Sequence, residues 1–111
     1  METGAYDPRW SYVHMLPEQT VQAHLDLRGR RLLPIHNGTF DLALHSWQEP
    51  FERISLAARE RNIELVTPVI GASVDIMHPT PTLAWWRSIP ESEFLSVRST
   101  ATSSLTAPAE K

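Results

Sequence analysis

The chain has 111 residues, a net charge of −3 and no cysteine. That length bounds it to one small domain, and the missing thiols exclude disulfides and thiolate metal sites. The charge gives no basic footprint for phosphate neutralisation, so nucleic acid is not an expected partner. Hydrophobic residues make up 41%, a little below the usual roughly 45–50%. No apolar run approaches the ~20 residues a membrane span needs, and M-E-T-G-A-Y-D-P-R-W has neither part of a signal peptide. A cytoplasmic location is the expectation.

In chain order, residues 4–16 read as extended or turn structure, with Pro8 holding Asp7 out of helix. Pro17 opens a helix with Glu18 in its first turn. Val21, Leu25 and Arg28 continue it, and Gly29 is its expected left-handed stop. Leu32-Leu33-Pro34-Ile35 fits a short buried strand whose proline demands an edge or an end. His36 then meets the Asn37-Gly38 turn signal. A second helix starts at Pro50 with Phe51, Ile54, Ala57, Ala58 and Arg61 on one face, and ends near Asn62. Its Glu49–Arg53 pair has the favourable orientation. Ile63–Thr67 alternates as a strand that Pro68 stops, residues 69–72 form a turn, and Val74-Asp75-Ile76 suggests one more short strand. Residues 79–95 read as a linker-like segment bearing Trp85 and Trp86, and residues 96–111 as a disordered tail. Helix, strand, helix, strand implies an α/β layer with a thin core.

Five histidines stand at 14, 24, 36, 45 and 78. None is spaced as a compact local zinc site. His24 reads as a partly exposed helix residue, His45 as a partner for Asp41 on an exposed helix face, and His78 carries no signal. His36 differs, because it ends a strand where α/β sheets bind ligands. His14 follows a Tyr/Trp-rich stretch without period. Tyr6, Trp10, Tyr12 and Phe40 read as core aromatics. No nucleophile elbow or phosphate-cradling glycine loop is present.

Three segments together carry a resemblance. They are Gly4-Ala5-Tyr6-Asp7-Pro8-Arg9-Trp10, Val13-His14-Met15-Leu16-Pro17-Glu18-Gln19 and Leu33-Pro34-Ile35-His36-Asn37-Gly38-Thr39-Phe40. In this order they resemble the C-terminal part of the metallo-β-lactamase superfamily, in the branch of N-acyl-phosphatidylethanolamine phospholipase D and its bacterial relatives. The likeness spans about residues 3–77. It implies an α/β fold, the C-terminal half of an αββα sandwich, with residues 1–78 as the partial domain. It implies a zinc-dependent hydrolase that cleaves a phosphodiester, lactone or amide-type bond in a small or lipid-like substrate. His36 matches the family's last metal ligand. His14 matches a histidine near the substrate that orients or protonates the leaving group.

Two departures bear on that reading. Asn37 stands where the family has tryptophan, which weakens the case for the lipid-cleaving activity. The H-x-H-x-D-H motif and the segment with the bridging aspartate are absent from these 111 residues. The resemblance therefore implies a half-site that pairs with a missing N-terminal half. On its own the chain is expected to hold little zinc, to lack activity and to self-associate through open strand edges. The alternative is a non-catalytic remnant or interaction module that associates with another chain, for which the Trp85-Trp86 pair is the best support.

Overall fold

A computed structural model describes residues 1–40, 43–81 and 83–92. Two helices and one parallel two-stranded sheet organise them: α1 (Pro17–Asp26), β1 (Arg31–Leu32), α2 (Glu49–Glu60) and β2 (Glu64–Leu65). Arg31 pairs with Glu64 and Leu32 with Leu65. The order is α/β, and α2 makes the crossover that parallel neighbours require. A third backbone segment joins the sheet, because Glu2 bridges Ile35 in parallel. The expected tail at 96–111 lies outside the described residues.

Each helix begins and ends for local reasons. Pro17 occupies the first turn of α1, and the Gln19 carboxamide accepts the Leu16 N–H at 2.8 Å. Both helices finish in the same six-to-one and five-to-two hydrogen-bond pattern. At α1, Gly29 N–H bonds His24 C=O and Arg28 N–H bonds Leu25 C=O. At α2, Ile63 N–H bonds Ala58 C=O and Asn62 N–H bonds Arg59 C=O. The left-handed residues are Arg28 (φ 54°) and Asn62 (φ 55°). Gly29 was the expected stop and lies one residue later. It is needed there for space, since a Cβ would sit 2.4 Å from the His24 ring. His24 is correspondingly buried, against the expectation of partial exposure.

Val21 of α1, Leu32 of β1, and Ile54 and Ala57 of α2 form the central apolar cluster, covered by Met1, Ile63 and Leu65. Strand alternation turns Arg31 and Glu64 to the opposite face. There the Arg31 guanidinium bonds Glu64 at 2.9 Å and the carbonyls of Ile76 and Met77. Residues 74–76 are not a strand. Asp75 instead accepts the N–H groups of Met77 and His78, which is a turn that a strand cannot share. Glu18 of α1 pairs with Arg53 of α2 at 2.6 Å, and the expected Glu49–Arg53 pair is present at 3.3 Å.

A second apolar centre lies at the start of α2. Trp86 stacks on Phe51 with ring centroids 4.9 Å apart, and Trp85 meets the same ring edge-on at 5.2 Å. The Gln48 side chain ties this segment down by donating to the carbonyls of Trp86 and Ile89. Trp86 is buried and also donates to Glu52, so the tryptophan pair packs onto its own domain. No helix among the described residues is long and apolar enough to cross a membrane.

Ile54 is fully buried at the point where helices and sheet meet. Ile54→Ala removes about 2–5 kcal/mol, which lowers the melting temperature of so small a domain by about 10 °C or more. Arg28→Gly relieves the left-handed backbone and raises stability by up to about 1 kcal/mol. Thermal melts by circular dichroism check both, and an unchanged melt for Ile54→Ala would remove it from the centre of the core.

Candidate metal centre

Residues 1–3 run beside Leu33–Ile35 as a short added strand. Ile35 N–H donates to Met1 C=O at 2.8 Å and Thr3 N–H donates to Ile35 C=O at 3.1 Å. The Thr20 hydroxyl, on α1, donates to Glu2 C=O at 2.6 Å. Glu2 is thus clamped between the sheet and α1. Its side chain is fixed as well, since Oε1 lies 2.7 Å from His14 Nδ1 and Oε2 accepts the Met15 N–H at 3.3 Å. A carboxylate oxygen only accepts, so in this contact His14 donates when its ring carries a hydrogen on Nδ1.

His36 follows the same strand by one residue, with its backbone in the left-handed region at φ 63°. That conformation turns the chain sharply and places its ring near His14, with centroids 5.4 Å apart and planes tilted by 59°. Glu2, His14 and His36 each offer a donor atom within 4.8 Å of the other two. Glu2 and His14 are half-buried, and His36 is exposed. The structure therefore brings together the two histidines singled out from sequence, 22 residues apart, and adds a carboxylate that sequence reasoning missed. The signal for Glu2 was slight, because its strand is a single bridge long and shows no alternation.

Two neighbours hold the turn. Gly4 passes so close to it that a Cβ would lie 1.9 Å from the His36 carbonyl oxygen. Asn37 donates its side-chain amide to the Thr3 hydroxyl at 2.8 Å. Asn37 thus ties the loop to the added strand. Two hollows flank His36. One, of about 160 Å³, is lined by Gly4, His36, Asn37, Thr39 and Phe40. The other, of about 330 Å³, has an apolar wall that includes Leu33, Ile35, Phe51, Val69 and Ile70.

The remaining sequence candidates lie apart. His45 stacks on Tyr6 at 4.1 Å, and Asp41 lies outside the described residues. His78 faces Asp75 at 3.3 Å on the surface. Tyr6 is buried in the expected way and donates to Glu49, and both burial and that carboxylate push its hydroxyl well above the usual phenol range. Tyr12 and Phe40, expected in the core, are exposed: Tyr12 sits in a turn, and Phe40 follows the bend at Gly38-Thr39. Asp7 caps the turn at Pro8–Trp10, and its hydrogen bonds to the Arg9 side chain and backbone pull its pKa down to about 2.

No family model matches the chain. It is 42% identical over 87 residues to an uncharacterized protein of Mycobacterium tuberculosis and equally to one of Mycobacterium bovis. These matches cover 76% of this chain and 23% of each relative. The chain thus spans about a quarter of the length of those curated relatives. It is also 55% identical over 38 residues to outer membrane protein RomA of Klebsiella pneumoniae, covering 34% of this chain and 29% of that protein.

Gly4→Ala drives a methyl group into backbone, so the His36 turn must shift. The expected result is a lowered melting temperature together with displaced His14 and His36 ring signals by NMR, and unmoved ring signals would contradict the close approach. Asp7 has a folded pKa below the unfolded value of about 3.9. Its stabilisation is therefore present above pH ~4 and is lost as pH falls toward 2. Urea titrations over that window should show Asp7→Asn losing less stability than the parent chain.

Proposed function

We infer that the chain supplies part of the active site of a zinc-dependent hydrolase of the metallo-β-lactamase superfamily. The observation that carries this reading is the meeting of His14 and His36. The resemblance gives one as the metal ligand and the other as its substrate-side neighbour, and their rings stand 5.4 Å apart near the Glu2 carboxylate that bonds His14. Three segments, each bearing part of the resemblance, converge there. The α/β order of the described elements is compatible with half of an αββα sandwich. A second sheet and its helices would complete the other layers.

The donor chemistry suits the ion. Imidazole and carboxylate hold zinc well without any thiolate. When bound, zinc supplies Lewis-acid polarisation and activation of water for attack on a phosphodiester, lactone or amide-type bond. His36 contributes a neutral imidazole lone pair. His14, oriented through Nδ1 by Glu2, would in its protonated form give the proton on its other ring nitrogen to a leaving group. The 330 Å³ hollow beside His36 offers apolar walls for a small or lipid-like acyl or alkyl portion.

The other metal ligands of such a site belong to a partner half, either in a longer chain or in a second polypeptide. Ile35, Val69 and Ile70 are each half exposed around the site, and this apolar surface is where the second half or another copy would pack. The alternative of a non-catalytic interaction module loses its main support, because Trp85 and Trp86 are engaged within the domain.

A chimera tests the reading. The matched segment of the Mycobacterium tuberculosis relative is replaced by the corresponding stretch of this chain, and hydrolysis of phosphodiester, lactone and amide substrates is measured. Activity that chelation abolishes is expected, with His36→Ala lowering it more than about 100-fold. Activity insensitive to chelation, or untouched by His36→Ala, would sink the assignment.

A further inference from the structure

We propose that Glu2, His14 and His36 form a divalent-cation site held by this chain alone, with zinc as the best-fitting ion. The proposal goes beyond the hydrolase reading and stands without it. That reading takes most ligands from elsewhere and leaves His14 on the substrate side, whereas here Glu2 and His14 join His36 as ligands.

Two imidazoles and one carboxylate are a donor set that zinc accepts in sites with an open coordination position. The three residues come from separate segments: the added strand, the loop before α1 and the turn after β1. Tetrahedral zinc with bonds of about 2.0–2.2 Å places donor atoms about 3.4 Å apart. All three donor atoms lie within 4.8 Å of one another. The 2.7 Å hydrogen bond between Glu2 Oε1 and His14 Nδ1 would open as the ring gives up its Nδ1 hydrogen for the Nε2 tautomer and Nδ1 turns its lone pair to the ion. The closing movement would fall mainly on His36, the exposed member. Glu2 needs no ordering, since its backbone is clamped by Thr20 and its carboxylate by Met15 N–H. A preorganised carboxylate beside the His14 imidazole lowers the cost of gathering ligands around the ion.

The second histidine–carboxylate pair gives a contrast within the same molecule. His78 and Asp75 are 3.3 Å apart, but their side chains are 86% and 62% exposed. Among the described residues, Glu2, His14 and His36 are the only three-donor cluster. The geometry thus separates a three-sided site from an ordinary surface ion pair.

Calorimetric titration of the full chain with zinc chloride, and visible absorption with cobalt(II), test the proposal near neutral pH. One equivalent should bind, saturating at micromolar zinc, and cobalt should give the intense visible bands of a four- or five-coordinate site. Glu2→Gln, His14→Gln and His36→Gln should each weaken binding at least about tenfold, while His78→Gln binds as the parent does. NMR of the unmodified chain guards against misfolded variants, because zinc should shift the ring signals of His14 and His36 and leave those of His24, His45 and His78. No saturable binding, undiminished affinity in Glu2→Gln, or shifts centred on the other histidines would overturn the site. None of these three readouts uses catalysis, so failure here leaves the chimera experiment standing, and failure there leaves this one.

Discussion

The parallel pairing of residues 1–3 with Ile35 is the constraint on which the site depends. Two backbone hydrogen bonds fix the register, and a third contact from Thr20 locks it to α1. A shift of one residue would turn Glu2 to the other face of the sheet. The carboxylate would then leave His14, and Gly4 would leave the one place where its missing side chain lets the His36 carbonyl approach. Register, glycine and the geometry of the Glu2–His14–His36 cluster are therefore one condition rather than three.

Behind that face, the domain is made of two similar steps. Each helix ends in the same hydrogen-bonded reversal and hands the chain to a strand within a few residues. The strands are only two residues long, so β1 and β2 cannot supply much core by themselves. The apolar burial comes instead from helix residues packing over Leu32 and from aromatic rings gathered around Phe51. A thin sheet with one well-covered face suffices to carry a site at its end, where the side chains leave the strand.

Much of the local structure was legible in the sequence. Pro17 and Pro50 mark helix starts, the apolar spacing of Val21, Ile54 and Ala57 marks their buried faces, and the turn after His36 is written in Asn37-Gly38. The errors share a physical origin in contacts between distant residues. Gly29 looked like a left-handed stop, yet it is required by the His24 ring. Val74–Ile76 looked extended, yet Asp75 captures its own following backbone. Tyr12 and Phe40 look like core by composition, but composition does not say which way a turn faces. At the site, His36 could be singled out from its strand-end position, and His14 joined it through resemblance. Glu2 was invisible because its role comes from a single bridge to a strand more than thirty residues away.

The left-handed backbone of His36 also bears on natural variation. Among residues with a side chain, asparagine, aspartate and histidine tolerate that conformation best, and glycine adopts it freely. If position 36 served the turn alone, glycine or asparagine would hold it at least as well, and descent without further demand would drift among them. Only histidine in that group brings an imidazole. The spread of residues found at this position across relatives is therefore a record of whether the turn or the ring has been under selection.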